Sequence, residues 1–258
     1  MKSSLYSIKG EKKGEISLPL IFDKKIREDI VSKYYEVEKF SLAQPYSNYQ
    51  EAGKRHSASG TISHRRHEWK GHYGKGISRI PRKTMWRRGV QFFWVGAEIA
   101  SARGGRRAHP PKLHKKERKI NKKEIRIAMH SALAATANEK YLSSRYSSFP
   151  SLKIKFPIIL ESNNLTKIKT KELISLLKIL FGESFKLALK NKSVRAGKGK
   201  LRGRKYKSTA GILLVISKSE NIKMKGIDIR QANQLRIHDL YPLGRLAIFT
   251  QKSLEELK

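Results

Sequence analysis

The strongest constraint in this sequence is an internal stretch, residues 44–112, that is dense in cations and almost free of acids. Its central and later part reads GKRHSASGTISHRRHEWKGHYGKGISRIPRKTMWRRGVQFFWVGAEIASARGGRRAHPPK. The basic residues are Lys54, Arg55, Arg65, Arg66, Lys70, Lys75, Arg79, Arg82, Lys83, Arg87, Arg88, Arg103, Arg106, Arg107 and Lys112, against the acids Glu68 and Glu98 between Gly53 and Lys112. Glycines interrupt the stretch repeatedly, Pro45, Pro81, Pro110 and Pro111 punctuate it, and most of it carries neither a sustained helical stripe nor strand alternation. Such a segment repels itself and is too polar to bury a core alone. Structureless loops longer than about 15 residues are uncommon in compact domains. The segment is therefore expected to take its order from outside the chain, and the charge requires that partner to be a polyanion.

Arginine pairs bidentately with phosphate, glycine lets backbones approach closely, and aromatic rings stack on unpaired bases. The stretch combines all three, with Trp69, Trp86 and Trp94 and with His56, His64, His67, His72 and His109. A disordered basic tail is the plainer alternative. The internal position argues against it, because patterned sequence resumes on both sides.

The whole chain of 258 residues carries a formal charge of +36, too large for an enzyme acting on small molecules and indicative of a standing nucleic-acid partner. A membrane partner is not expected: there is no apolar run near 18 residues, and MKSSLYSIKGEKKGE has no signal-like apolar region. With no cysteine there is neither a disulfide nor a Cys-based zinc site. Without the basic stretch roughly 190 residues remain, enough for one domain.

Around the stretch the pattern alternates. Strands are expected over Ser4–Ile8 and Glu15–Leu18. A helix from about Lys24 to Leu42, N-capped by Asp23, would carry Ile26, Ile30, Tyr34, Val37 and Phe40 on one face. A second helix starts at the cap Asn121, with Glu124 three residues on, and shows Ile125, Ala128, Met129, Ala132, Leu133 and Thr136 on one face; His130 reads as a surface or interface residue. Residues 139–155 read as a polar connection and Phe156–Glu161 as a strand. Thr170 would cap a helix striped by Leu173, Leu176, Leu177 and Leu180, with Gly182 at its end and a further helical turn or two over Glu183–Leu189. Gly211–Ile216 reads as a central parallel strand, Gly226–Ile229 as a shorter strand and Gln231–Ile237 as a short helix. Leu246–Thr250 reads as the last strand, before a helix capped by Thr250 or Ser253. The expected fold is α/β, a mainly parallel sheet with helices on both faces in a Rossmann-like three-layer arrangement, carrying a long internal basic extended loop. The globular domain would comprise residues 1–43 and 113–258, with 44–112 inserted in it.

A second acid-free stretch, KNKSVRAGKGKLRGRKYKS, spans Lys190 to Ser208. Its glycine spacing, G-x-G-x-x-x-G, differs from a dinucleotide loop, no Gly-Lys-Ser/Thr follows, and it precedes a strand instead of following one. RNA backbone contact through Arg195, Lys198, Lys200, Arg202, Arg204 and Lys205 is the stronger reading. Nothing resembles a catalytic constellation. The acids are scattered, and the His64-x-x-His67 pair lies beside Arg65 and Arg66, which would repel a metal ion. No catalytic residue, no metal site and no enzymatic activity are expected.

SARGGRRAHPPK followed by the capped helix with SALAATA, the pieces SRIPR and RAGKGKLRGRKYK, and the ending GRLAIFT-x-x-SLEEL occur in order along nearly the whole chain. Together they resemble the universal large-subunit ribosomal protein family called L-four, in its archaeal and eukaryotic branch. The segment TMWRRGVQFFWVGAEIA is more aromatic than that branch leads one to expect. The resemblance implies a structural constituent of the large ribosomal subunit that binds large-subunit rRNA and helps line the nascent-peptide exit tunnel with its internal loop. It implies that Trp69, Tyr73, Gly74, Lys75, Arg79, Ile80, Pro81 and Arg82 are tunnel-lining candidates near the loop tip. The run from Arg103 through His109 to Lys112 would be a returning arm on rRNA. It further implies a cytoplasmic place in the ribosome, rRNA, neighbouring ribosomal proteins and the nascent peptide as partners, no homo-oligomer, and no cofactor beyond Mg ions held by the rRNA.

Overall fold

The computed structural model describes residues 1–58, 66–68, 72–112, 118–146, 154–162, 168–222, 224 and 226–257. Its strands are β1 (Lys2–Tyr6), β2 (Lys12–Ser17), β3 (Arg82–Arg88), β4 (Gln91–Gly96), β5 (Ile158–Leu160), β6 (Lys192–Val194), β7 (Tyr206–Ser208), β8 (Leu213–Ile216), β9 (Asp228–Gln231) and β10 (Ala247–Thr250). Its helices are α1 (Glu28–Leu42), α2 (Lys122–Ala137), α3 (Glu139–Arg145), α4 (Thr170–Phe181), α5 (Phe185–Ala188), α6 (Ile237–Leu240) and α7 (Gln251–Glu256). The chain divides into two compact units, Met1–Leu42 with Glu117–Lys258, and Ala43–Lys116.

The first unit is built on a six-stranded sheet of order β2-β1-β5-β10-β8-β9, in which the β1–β2 pair alone is antiparallel. The mainly parallel α/β sheet is thus as the sequence indicates. The apolar runs explain it. Leu213 to Ile216 is buried along its full length, with β10 on one side and β9 on the other. Its residues alternate between two apolar clusters. Leu214 and Ile216 pack with Ile158, Leu160, Ile248 and the α4 leucines Leu173, Leu176, Leu177 and Leu180. Leu213 and Val215 pack with Ile159, Phe249, Val31 of α1, Ala128, Ala132 and Leu133 of α2, and Ile237 and Leu240 of α6. A strand lined by apolar side chains on both faces has no reason to alternate in polarity.

Local signals set most of the ends. The Asn121 side chain accepts the Lys123 amide at 3.0 Å and starts α2, whose small residues Ala128, Ala132 and Ala135 are buried. Thr250 is the cap of α7, its hydroxyl accepting the Ser253 amide at 3.2 Å. Gly182, at φ 48°, closes α4.

Several expectations shift. Helix α1 begins at Glu28, not Lys24, so Ile26 lies before it. Asp23 ends a short 3-10 turn, Leu20–Asp23, that drives Phe22 edge-on against Phe249 with ring centroids 5.5 Å apart. The helix after residue 169 starts on Thr170 itself, and Glu172 accepts the Lys169 amide at 3.2 Å, so Thr170 is not the cap. The polar connection after α2 is partly helical. Asn138 ends α2 and its side chain accepts the Lys140 amide at 3.0 Å, starting α3; residues 147–153 of that connection lie outside the described residues. Gln231–Ile237 is not one helix but a 3-10 turn, Ala232–Gln234, followed by α6. Strand bounds move by one to three residues at β1, β2, β5, β8, β9 and β10.

Candidate nucleic-acid interface

The second unit, Ala43–Lys116, contains an element absent from the sequence reading: β3 and β4 form an antiparallel hairpin. Gly89, at φ 58°, opens its two-residue turn, where a side chain would be strained. The chain on either side of the hairpin is brought together by glycine. A Cβ on Gly53 would meet the Gly105 carbonyl oxygen at 2.5 Å, so the backbone carrying Lys54 and Arg55 runs directly against that carrying Arg103, Arg106 and Arg107. All five side chains are exposed, as are His109 and Lys112.

Arginines stack on tyrosines where acids are lacking. The Arg79 and Arg66 guanidinium groups lie 4.8 Å and 5.6 Å from the Tyr73 ring centroid. Arg55 lies 4.4 Å over Tyr49 and also pairs with Glu51 at 3.9 Å. Each such contact contributes about 0.5–1 kcal/mol at an exposed site, too little to offset the cation density. Gly74 and Lys75 are exposed beside them, and Gly74 and Gly76 both have positive φ. Arg82 donates to the Ser78 carbonyl at 2.7 Å. Ile80 is half-buried against Gly96 and Pro81 is buried, its carbonyl accepting the Ala97 amide at 2.8 Å. These two tunnel candidates therefore hold the unit together instead of presenting themselves outward. Arg65, Trp69 and Lys70, with His64, lie outside the described residues.

His72 sits under this surface. It is 7% exposed and its Nδ1 has no hydrogen-bond partner among the described residues. Burial, and then the nearby Arg82 and Lys75 charges, hold its pKa below the ordinary histidine value.

The second basic stretch folds as another hairpin, in the first unit. β6 pairs antiparallel with β7, Val194 facing Tyr206. Between them Lys198–Arg202 forms a 3-10 turn ended by Gly203 at φ 74°. Lys198, Lys200, Arg202, Arg204 and Lys205 are exposed. Arg195 differs: its guanidinium donates to the carbonyls of Arg204 at 3.2 Å and Tyr206 at 3.4 Å, closing the loop on itself. Sequence reasoning passed over Tyr206, whose ring lies under the Lys192 ammonium at 4.3 Å.

The hairpin stands on an ion network around the buried Arg245. Arg245 donates to Asp228 at 2.6 Å, to the Ala210 carbonyl at 3.0 Å and to the Asp239 carbonyl at 2.6 Å, while Lys190 pairs with the other Asp228 oxygen. Lys190 precedes β6 and Ala210 follows β7, so both ends of the hairpin are fixed to the start of β9. Burial alone would push the Asp228 carboxyl up; hydrogen bonds from Lys190 and Arg245 outweigh it and hold the pKa below the usual range. Among the described residues no group of His, Asp and Glu is placed to hold a metal ion, and no helix is long and apolar enough to cross a membrane.

Two surfaces, each acid-poor, glycine-hinged and dotted with exposed rings, are suited to phosphate and base contact. Comparison with known proteins supplies a family. Residues 16–258 match the model of the ribosomal protein L4/L1 family. The chain is 38% identical over 266 residues to the large ribosomal subunit protein uL4 of Thermoplasma acidophilum, an alignment spanning 100% of this chain and 97% of that one. Its identity is 37% over 269 residues to the protein of the same name from Nanoarchaeum equitans (100% and 98% covered). For that of Methanocaldococcus jannaschii it is 35% over 268 residues (100% and 98%).

Proposed function

Since the chain belongs to the ribosomal protein L4/L1 family, and so is a structural, non-enzymatic protein of the large ribosomal subunit, we propose that it binds large-subunit rRNA through both basic surfaces. The unit Ala43–Lys116 then reaches the wall of the nascent-peptide exit tunnel, with Tyr73, Gly74, Lys75, Arg79 and Arg82 nearest the peptide. The first unit is a three-layer domain that stays outside the RNA and holds it with Lys198, Lys200, Arg202, Arg204 and Lys205. Its partners are rRNA, neighbouring ribosomal proteins and the passing peptide. Any Mg ions are held by the RNA.

The observation that carries the reading is the charge of the second unit. Lys54, Arg55, Arg66, Lys75, Arg79, Arg87, Arg88, Arg103, Arg106 and Arg107 are all exposed, and Glu51, Glu68 and Glu98 supply the acid from residue 44 to residue 112. Cations held at such density are stable beside a phosphate backbone, whose displaced counterions favour the complex. Cross-linking in intact ribosomes tests it. Residues 72–95 should attach to tunnel-wall rRNA and to arrested nascent chains, and the protein should stay with large subunits through a high-salt wash. Attachment at the particle surface alone would remove the tunnel from the proposal.

A further inference from the structure

The bulge in β3 re-aims a tryptophan. Thr84 pairs with Trp94 and Trp86 with Phe93, so Met85 is the extra residue and Trp86, not Met85, comes opposite Phe93. The two rings stack at 3.8 Å with 16° between their planes. Despite covering one another, Trp86 remains 49% and Phe93 48% exposed, so the pair keeps open ring surface. The register places Lys83 with Val95 on one side of the pair and Arg88 with Gln91 on the other, on the same face of the hairpin. The β4 partner of each cation, Val95 or Gln91, is two residues, roughly 7 Å, along that strand from Phe93. No acid occurs between Arg82 and Gly96.

We propose that Trp86 and Phe93 form a stacking site for one unpaired base of the RNA, with Lys83 and Arg88 on the phosphates to either side. The inference rests on the rRNA-binding reading and names what this patch takes. The chemistry selects a nucleotide over an apolar protein partner. A flat ring pair extends naturally into a stack with a planar base. An apolar side chain seated on the rings would leave two flanking ammonium and guanidinium groups without counter-charge, whereas a nucleotide brings its phosphates with it.

The test is made on assembled particles carrying the full-length chain. Irradiation of large subunits at short ultraviolet wavelength, followed by digestion and mass spectrometry, should recover Trp86 or Phe93 joined to a nucleotide. In particles built with Trp86→Ala, one unpaired rRNA nucleotide should become roughly tenfold more reactive to a backbone-acylating probe, and Trp86→Phe should restore most of the protection. If hairpin adducts go to protein alone, or if no nucleotide changes in particles that contain Trp86→Ala, the stacking site is wrong while rRNA binding stands. If the wild-type chain never enters large subunits, the reading beneath it fails as well.

Discussion

Strands β8 and β4 look alike in composition and live in opposite surroundings. β8 reads LLVI and β4 reads QFFWVG. β8 is hydrogen-bonded on both edges and buried throughout. Among the described residues β4 has β3 as its one partner strand, and Phe93 and Val95 are open to solvent. The difference lies in what surrounds each strand. Around β8 the chain supplies two apolar clusters and a paired ion network. Around β4 it supplies cations. The first unit generates its order internally, and a lone two-stranded hairpin is marginal in water. The second leaves charge and aromatic surface open, as the proposed rRNA contact requires.

Hydrogen exchange on the free protein breaks or keeps this contrast, and the effect should be the largest of all. Amides of β8 should exchange through global unfolding, on the order of 5–15 kcal/mol uphill, and those of β3 and β4 through far cheaper local opening. Rates should differ by about a thousandfold or more. In purified large subunits the hairpin amides should slow markedly. Equal protection of β4 and β8 in the free protein would mean the hairpin is held by its own packing, and the comparison would lose its basis.

Substitution sharpens it at a smaller scale. Phe249 is 0% exposed, between Phe22 and the sheet. Phe249→Ala should cost about 3–5 kcal/mol, read as a shift of the urea midpoint followed by far-ultraviolet dichroism. Val95→Ala, on the open side of the hairpin, should stay within about 0.5 kcal/mol. A large loss from Val95→Ala would show a hidden contact for that face in the free protein.

The same division decides what was legible in the sequence. Where burial is two-sided, the apolar run and the cap speak directly: the LLVI run and the Asn121 cap are legible because one strong local signal matches one strong tertiary demand, while the sequence leaves Thr250 and Ser253 both open as the α7 cap and the structure selects Thr250. Helix α3 was missed because its sequence, EKYLSSR, has little apolar periodicity and its start depends on Asn138, which also ends α2. The β3–β4 hairpin was missed because the bulge at Met85 shifts the alternation and both faces of β4 carry aromatic side chains. Its one local sign was Gly89 between two runs of strand-forming residues. Of the candidate site, the cations were legible from composition. The inward role of Pro81 and the loop-closing bonds of the exposed Arg195 were not, since they depend on backbone partners that charge does not reveal.

The smallest expected effect is in pH. In the second unit His72 is held below 6.5 by burial, Arg82 and Lys75. Between that lowered value and 6.5 the unfolded chain binds more protons than the folded one, so stability in the free protein falls as pH drops through the window. In the first unit Asp228 is held below 3.8 against its burial by Lys190 and Arg245. Its contribution is present above about pH 4 and is lost only as pH falls through the lowered value. In the first unit His130, held below 6.5 by burial and by Lys24 and Arg126, acts over the same window, so acid should loosen both units before Asp228 titrates. RNA should relieve the His72 part, because phosphates beside Arg82 and Lys75 offset two of the three causes acting on it. Titration of the His72 ring by NMR checks this: a pKa below 6.5 in the free protein, moving upward on adding an rRNA fragment. A free value at or above 6.5 would mean the ring is not buried among cations. A value that RNA leaves unmoved would take Arg82 and Lys75 out of the interface and leave the hairpin's own Lys83, Arg87 and Arg88 to hold it.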